Sequence, residues 1–385
     1  MGCHGLSLNI IMNLNNIKTP AYLIDEALLE KNLKQLAKVK HKTGCKILLA
    51  TKAYSCYHTY SLISNYLDGT TNSSVNEALL SAEEFGKETH LYSPAYKKED
   101  ILAVKDKVET VIFNSQYQYE TFSPLLNSHS SCGLRINPEH IEVDNPMYNP
   151  CAPGSRFGVL AKDMKAINLQ HIAGFHIHAL CQNNEDSLGR LMASTAEKFH
   201  EYLMLDHIKW VNFGGGHMIS RSGYNIDELC DHISHFQQRY NIQVILEPGE
   251  AVVYEAGFLV SEVLDIVENN MNIAILDTSA TAHMPDVIEM PYRPDVIAAG
   301  KPDQYSYTYR LGGITCLSGD IIGEYSFAEP LKVGQKCVFT DMAQYTMVKN
   351  THFNGIQLPY IYIKTIDGEL ILKKSFTYTD FKQKL

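Results

Sequence analysis

Lys52 closes a short apolar run, Lys46-Ile47-Leu48-Leu49-Ala50-Thr51-Lys52, that reads as a buried strand. A lysine held over a dry pocket loses its charge, because burial disfavours the ammonium form. The neutral amine is a nucleophile, the form that Schiff-base chemistry with an aldehyde requires. One lysine among 33 Lys and Arg residues is thin ground by itself. Other residues at the ends of apolar runs join it. Arg135 lies in the run 132–137. His176 and His178 are spaced by two, which places them on one face of a strand. Gly214-Gly215-Gly216 follows the run 209–213, and Glu247-Pro248-Gly249 ends the run 243–247.

Each of these has a plain structural reading beside the chemical one. A glycine run leaves backbone N–H groups open to a phosphate, and it is also an ordinary turn. Glu247 beside a pyridine nitrogen would keep that nitrogen protonated, and it is also a rim salt bridge. His178 offers a flat ring to stack on a planar cofactor, and it is also a satisfied barrel histidine. Together, a lysine, a carboxylate, a phosphate cradle and a stacking ring describe a pyridoxal-phosphate site.

The elements that must position these groups alternate along the chain. Strand-like runs at 46–50, 69–73, 89–93, 110–114, 132–137, 174–179, 209–213 and 243–247 are separated by helix-like stretches. Those stretches are 58–67, 74–85, 97–104, 116–126, 162–168, 188–204 and 226–240. Eight β-α units imply a closed, parallel (β/α)8 barrel, whose chemistry sits at the C-terminal strand ends. After Pro248 the texture changes to long Val- and Ile-rich runs at 251–267, 272–276, 305–311, 332–339, 359–366 and 369–376. These predict an antiparallel β domain. The expected fold class is thus α/β plus all-β, with a barrel over 26–255 and a β domain from 17–25 plus 256–385. The segment 138–155 is long for a barrel connection, and loops of that length border function.

Composition removes several classes. A net charge of -10 argues against nucleic-acid or anionic-membrane partners. No apolar stretch approaches the roughly 20 residues of a membrane helix. Residues 1–16 lack the basic start and apolar core of a signal peptide. They read as a disordered or extraneous leader, with Met12 as an alternative start. Nine scattered cysteines show no zinc-ligand spacing, so no metal is expected and a reducing cytoplasm fits.

The chain resembles the alanine-racemase-fold group of pyridoxal-phosphate decarboxylases from Thr19 to its end. The likeness rests on ordered motifs: Ala50-Thr51-Lys52-Ala53, Leu134-Arg135-Ile136, Phe175-His176-Ile177-His178, Gly214-Gly215-Gly216 and Glu247-Pro248-Gly249. Cys316-Leu317-Ser318-Gly319-Asp320, Asp341-Met342-Ala343-Gln344-Tyr345 and Phe353-Asn354-Gly355 complete the series. The resemblance implies that Lys52 carries the cofactor, His178 stacks on its ring and Glu247 pairs with the ring nitrogen. It also implies that Gly215, Gly216, Gly249 and Tyr345 bind phosphate, and that Arg135 orients the cofactor–lysine region. In this group the site lies at a head-to-tail homodimer interface. Cys316 would then enter the partner's barrel near the carbon that is reprotonated, with Cys316 or Lys52 as proton donor, and Asp320 would meet the substrate amine.

Within the group the chain is most similar to the carboxynorspermidine (carboxyspermidine) decarboxylases. Glu250 stands where the ornithine and diaminopimelate enzymes usually have arginine. Leu317 follows the cysteine where those enzymes carry a carboxylate, and Ala179-Leu180-Cys181 replaces a glycine-serine phosphate contact. Asp277, in Asp277-Thr278-Ser279-Ala280, falls where relatives read the distal amine. The implied reaction is α-decarboxylation of a carboxylated polyamine to norspermidine or spermidine, in polyamine biosynthesis. Ornithine or diaminopimelate decarboxylation, or cofactor binding without turnover, are the alternatives.

Overall fold

The computed structural model describes residues 16–142 and 149–385. The expectation for residues 1–16 therefore falls, up to residue 15, outside the described residues, as does 143–148 of the long segment. The chain divides into two compact units: Glu30–Val252, and the stretch ending at Leu29 together with Val253–Leu385.

After β1 (Ala21–Asp25), which belongs to the second unit, the chain makes nine strands in the first. They are β2 (Lys46–Ala50), β3 (Gly69–Asn72), β4 (Glu88–Tyr92), β5 (Thr110–Phe113), β6 (Ser131–Asn137), β7 (Val159–Leu160), β8 (Ile172–His176), β9 (Trp210–Asn212) and β10 (Gln243–Leu246). β7 is a two-residue spur on β6. The other eight pair in parallel, and β10 returns to β2, so the expected barrel is present and closed. The helix Ile226–Tyr240 shows why the connections form. Asn225 caps it by accepting the Glu228 N–H, and Asn241 ends it in the left-handed region at φ 52°. Leu229, Ile233, Phe236 and Tyr240 recur at helical spacing and are buried. The helix Glu26–Thr43 has no counterpart among the expected elements, although its Leu29, Leu33, Leu36 and Val39 form one fully buried stripe.

Trp210, the sole tryptophan, packs inside the barrel with Leu48, Ile112 and Ile245. Its indole takes space that only glycine leaves open. A Cβ on Gly174 would stand 2.1 Å from the indole Cδ2, and one on Gly133 2.5 Å from Cη2. Gly174→Ala is therefore expected to destabilise by about 1–3 kcal/mol through overpacking. That corresponds to roughly 2–4 °C in Tm per kcal/mol for a unit of this size. Thermal melting checks it, and an unchanged Tm would mean that the indole yields at no cost.

The second unit holds β11 (Gly257–Glu268), β12 (Asn272–Leu276), β13 (Ala299–Gly300), β14 (Tyr307–Gly312), β15 (Ile321–Phe327), β16 (Lys336–Thr340), β17 (Tyr360–Lys364) and β18 (Leu370–Lys374). The sheet order is β13-β15-β14-β12-β11-β1-β17-β18, with β16 also on β11. The sheet is mostly antiparallel, but β1–β17 and β12–β14 run parallel. Both parallel pairs join strands far apart in sequence, so no hairpin dictates their direction. The expected strand at 251–267 starts only at Gly257, after a helical turn at Glu250–Val253. Val263, Leu276, Leu311, Tyr325 and Phe339 form the core of this unit. Among the described residues no helix is long and apolar enough to cross a membrane.

Candidate active site

Six of the eight barrel strands, with the residues just after them, hand polar side chains to a cavity of about 320 Å3. Lys52 follows β2, Tyr92 ends β4, Arg135 lies on β6, His176 ends β8 and Glu247 follows β10; all line it, with His178, Pro150 and Phe157. Pro150 comes from near the end of the long segment 138–155 and Phe157 from just beyond it.

Lys52 Nζ lies 3.2 Å from His178 Nε2. Burial draws the amine below the usual lysine value; Glu247 opposes this and Arg135 adds to it. His178 is itself held well below the ordinary histidine value, first by burial and then by the Lys52 and Arg135 charges. The Gly215 N–H donates to His178 Nδ1 at 3.3 Å. In the neutral ring this leaves the proton on Nε2, facing Lys52. A neutral lysine amine accepts that proton in a hydrogen bond, so the two side chains match in their uncharged forms.

Glu247 is the ionised member of the set. Burial opposes its charge, yet His176, His178 and Asn212 outweigh burial and hold its carboxyl well below the usual range. Asn212 Nδ2 donates to Oε1 at 2.5 Å, and His176 Nε2 lies 3.3 Å from Oε2. Burial lowers His176 as well, despite the carboxylate beside it. The neutral ring thus donates to Glu247 without cancelling its charge. Tyr92 packs against His176 at a ring separation of 5.0 Å.

Arg135 is buried, with its guanidinium 4.6 Å from the Tyr92 ring centroid and 4.4 Å from that of Phe157. Two π faces and the His178 carbonyl, which accepts from Nη2 at 3.3 Å, hold this cation in the cavity wall. Asn114 fixes the arrangement: its Oδ1 accepts from Tyr92 Oη and the Gly158 N–H, and its Nδ2 donates to the Arg156 carbonyl.

The glycines have a packing duty independent of any ligand. A Cβ on Gly216, whose φ is +86°, would stand 1.9 Å from the Leu180 carbonyl oxygen. One on Gly215 would stand 2.2 Å from the Glu247 carbonyl oxygen, and one on Gly249 2.6 Å from the Ala53 Cβ. The strand ends can approach only without side chains there.

Five of the sequence-derived residues, Lys52, Arg135, His178, Gly215 and Glu247, meet in this one constellation. His178 differs from expectation in one respect: β8 ends at His176, so His178 stands on the loop after the strand. Tyr92, Phe157, Asn212 and the hold of His176 on Glu247 were not foreseen. Asn212 carried a signal, a polar residue just before the strand-end glycines; Phe157 carried none, because it arrives from a long irregular connection.

The other candidates lie on the sheet unit. Cys316 is exposed, and its N–H donates to Asn354 Oδ1 at 2.8 Å. Asp277 accepts the Ser261 hydroxyl at 2.7 Å and the Glu262 N–H at 2.8 Å, both on Oδ1. Asp320 is buried and makes four hydrogen bonds of its own. Tyr345 is half-buried, with φ at +54°. Among the described residues no group of His, Cys, Asp and Glu is placed to hold a metal ion.

A buried amine drawn below its usual value, an ionised carboxylate and a guanidinium around one cavity fit a planar, anionic aldehyde such as pyridoxal phosphate. Comparison with known proteins agrees. Residues 22–343 match the family described as pyridoxal-dependent decarboxylase, C-terminal sheet domain. The chain is 41% identical to a carboxynorspermidine/carboxyspermidine decarboxylase of Campylobacter jejuni, over 96% of this chain and 99% of that protein. It is 40% identical to a carboxyaminopropylagmatine decarboxylase of Synechocystis, over 98% of this chain and 99% of that protein. The crystal structure of carboxynorspermidine decarboxylase from Campylobacter jejuni, complexed with norspermidine, matches at a TM-score of 0.90 and 40% identity, covering 96% of this chain and all of that one. With barrel, sheet and lysine-centred cavity in agreement, the chain belongs to the pyridoxal-dependent decarboxylases that carry a C-terminal sheet domain.

Proposed function

We propose that the chain removes the α-carboxyl group of carboxynorspermidine or carboxyspermidine, giving norspermidine or spermidine. The observation that carries the chemistry is the buried Lys52 amine, drawn below its usual value, in one cavity with the ionised Glu247. The substrate class rests on full-length similarity to an enzyme named for both substrates, and on the match to a structure with norspermidine bound.

Pyridoxal phosphate, when bound, supplies the aldehyde and the electron sink. Lys52 would hold that aldehyde, within reach of the α-amine of a bound substrate. His178 covers one face of the ring. Glu247, aimed by Asn212 and His176, keeps a proton on the ring nitrogen. Arg135 directs its donors toward the lysine end of the cavity. Gly215, Gly216, Gly249 and Tyr345 serve the phosphate. The Cys316 thiol returns a proton to the α carbon after carbon dioxide leaves.

Asp277 reads the distal ammonium group. Among the described residues both its hydrogen bonds fall on Oδ1, which leaves Oδ2 for a ligand. Asp277→Ala is expected to raise KM for carboxynorspermidine by about tenfold or more, the scale of one truncated charge pair. Steady-state kinetics test this, and an unchanged KM removes Asp277 from the substrate site.

The protein works as a head-to-tail homodimer in which the Cys316 loop completes the partner's cavity. Cys316 is exposed among Ile314, Leu317, Ile321 and Phe353, apolar side chains that are 40–44% exposed. Lys52→Ala and Cys316→Ala are each expected to lose activity, and mixing them to restore roughly a quarter of it, since half of the dimers are mixed and carry one intact site of two. Sedimentation checks the dimer, and mixtures as inactive as their components would refute sharing.

Carbon dioxide release from carboxynorspermidine, carboxyspermidine, carboxyaminopropylagmatine, ornithine and meso-diaminopimelate tests the function as a whole. The likeness to the Synechocystis protein favours carboxyaminopropylagmatine as a second reading. Preference for it would replace a distal ammonium with a guanidinium and keep the chemistry. Preference for ornithine or diaminopimelate would refute the polyamine reading.

A further inference from the structure

We infer that Asp320 is a positioning residue that clasps the Cys316 loop to the turn after β12, not the acid that meets the substrate amine. The inference rests on the proposed role of Cys316 as proton donor.

The carboxylate of Asp320 is 4% exposed and its acceptor capacity is used up. Oδ1 accepts from the backbone N–H groups of Ala280, at 2.7 Å, and Thr281, at 3.3 Å. Oδ2 accepts from the Thr315 N–H at 3.1 Å and the Thr315 hydroxyl at 2.6 Å. Two carboxylate oxygens offer about four lone-pair sites, and each has a donor. An arriving ammonium group would have to displace a donor and strand it in the interior, losing about what it gains.

The same four bonds join two segments. Ala280 and Thr281 open the helical turn Ala280–His283, which Ser279 caps by accepting the Ala282 N–H at 3.1 Å. Thr315 adjoins Cys316. The loop also closes on the Asp320 backbone: its carbonyl accepts from the Gly313 N–H at 2.8 Å, and its N–H donates to the Leu317 carbonyl at 2.9 Å. A Cβ on Gly313 would stand 2.3 Å from Asp320 Oδ2, so the strand end comes as near the carboxylate as glycine allows. Cys316, Leu317, Ser318 and Gly319 between these ties are all exposed. The thiol is thus presented by a short loop pinned at Thr315 by Asp320 and at its own N–H by Asn354.

Asp320→Asn tests the clasp, because an amide nitrogen must then face a backbone N–H. In the holoenzyme with carboxynorspermidine, kcat is expected to fall by about tenfold or more while KM stays within about threefold. In a Cys316→Ala background the same substitution should cost less than about twofold, since the two residues act as one unit. Amide hydrogen exchange in 279–283 and 313–319 should quicken by about tenfold as the bonds are lost. A tenfold rise in KM, or a kcat loss that persists without Cys316, would mean that Asp320 touches substrate and would overturn the inference. Unchanged kinetics would also overturn it. Should Asp320→Asn fail to fold, Thr315→Val removes only the hydroxyl donor and should show the same split on a smaller scale. If no carboxylated polyamine releases carbon dioxide, the proposed function fails separately; the clasp is then decided by exchange, and unaltered exchange rejects it.

Discussion

Lys52→Ala will erase the visible absorbance of lysine-bound pyridoxal phosphate and lower decarboxylation by at least about 10³-fold, the scale of losing a nucleophile that also moves protons. The expectation follows from how the amine is kept. Burial draws it toward the neutral form, and the His178 tautomer set by the Gly215 N–H faces it with a donor instead of a competing lone pair. Lys52→Arg separates the two contributions. It supplies a cation of similar reach that cannot condense with an aldehyde, so it should be as inactive as alanine. Partial rescue of Lys52→Ala by added methylamine would show that the amine itself, not its charge, was lost. A variant that keeps the absorbance band would move cofactor attachment to another lysine.

The second large effect falls on Glu247→Gln. The substitution keeps shape and the Asn212 contact but removes the charge that faces the ring nitrogen. A fall in kcat of about 10²–10³-fold is expected, the cost of deleting one preorganised electrostatic partner. KM should stay within about threefold, because the charge matters most as electrons move into the ring. His176 makes this a sharp experiment. Being neutral, it cannot replace the lost charge, and with the amide oxygen kept for Asn212 its ring needs only to switch tautomer so that Nε2 accepts from the amide NH2. Steady-state rates together with a melting curve separate chemistry from folding. Full activity in a well-folded Glu247→Gln would reduce the carboxylate to a brace for His176 and Asn212.

Much of this was legible in the sequence, for reasons that can be named. The barrel strands are short apolar runs ending in polar or glycine residues, and parallel strands buried on both faces leave that trace. β2 matches its expected bounds, and the other seven fall within about three residues of theirs. Lys52 and Glu247 were visible because each sits where such a run stops. The wall that holds Arg135 was not, since Tyr92 and Phe157 approach it from segments 65 residues apart and through a loop with no periodic signal. The helix Glu26–Thr43 hid its leucines among lysines and glutamates. The parallel pairing of β1 with β17 joins strands more than 330 residues apart, a contact that no local pattern encodes. The surroundings of Asp320 were hidden for a related reason. A motif gives the residue type, but only coordinates show that four donors already occupy its oxygens.

Trp210 turns the molecule into its own optical probe. It is the only indole in the chain and lies within Glu30–Val252, so tryptophan emission reports the melting of the barrel unit alone. The sheet unit is dark in that channel and is followed by far-ultraviolet dichroism, which both units share. Superimposed curves would mean one cooperative transition, and displaced curves would give each unit its own stability. Indole emission also overlaps the absorbance of lysine-bound pyridoxal phosphate. Quenching of the same single fluorophore would therefore follow cofactor loading in real time, without substrate and without a label.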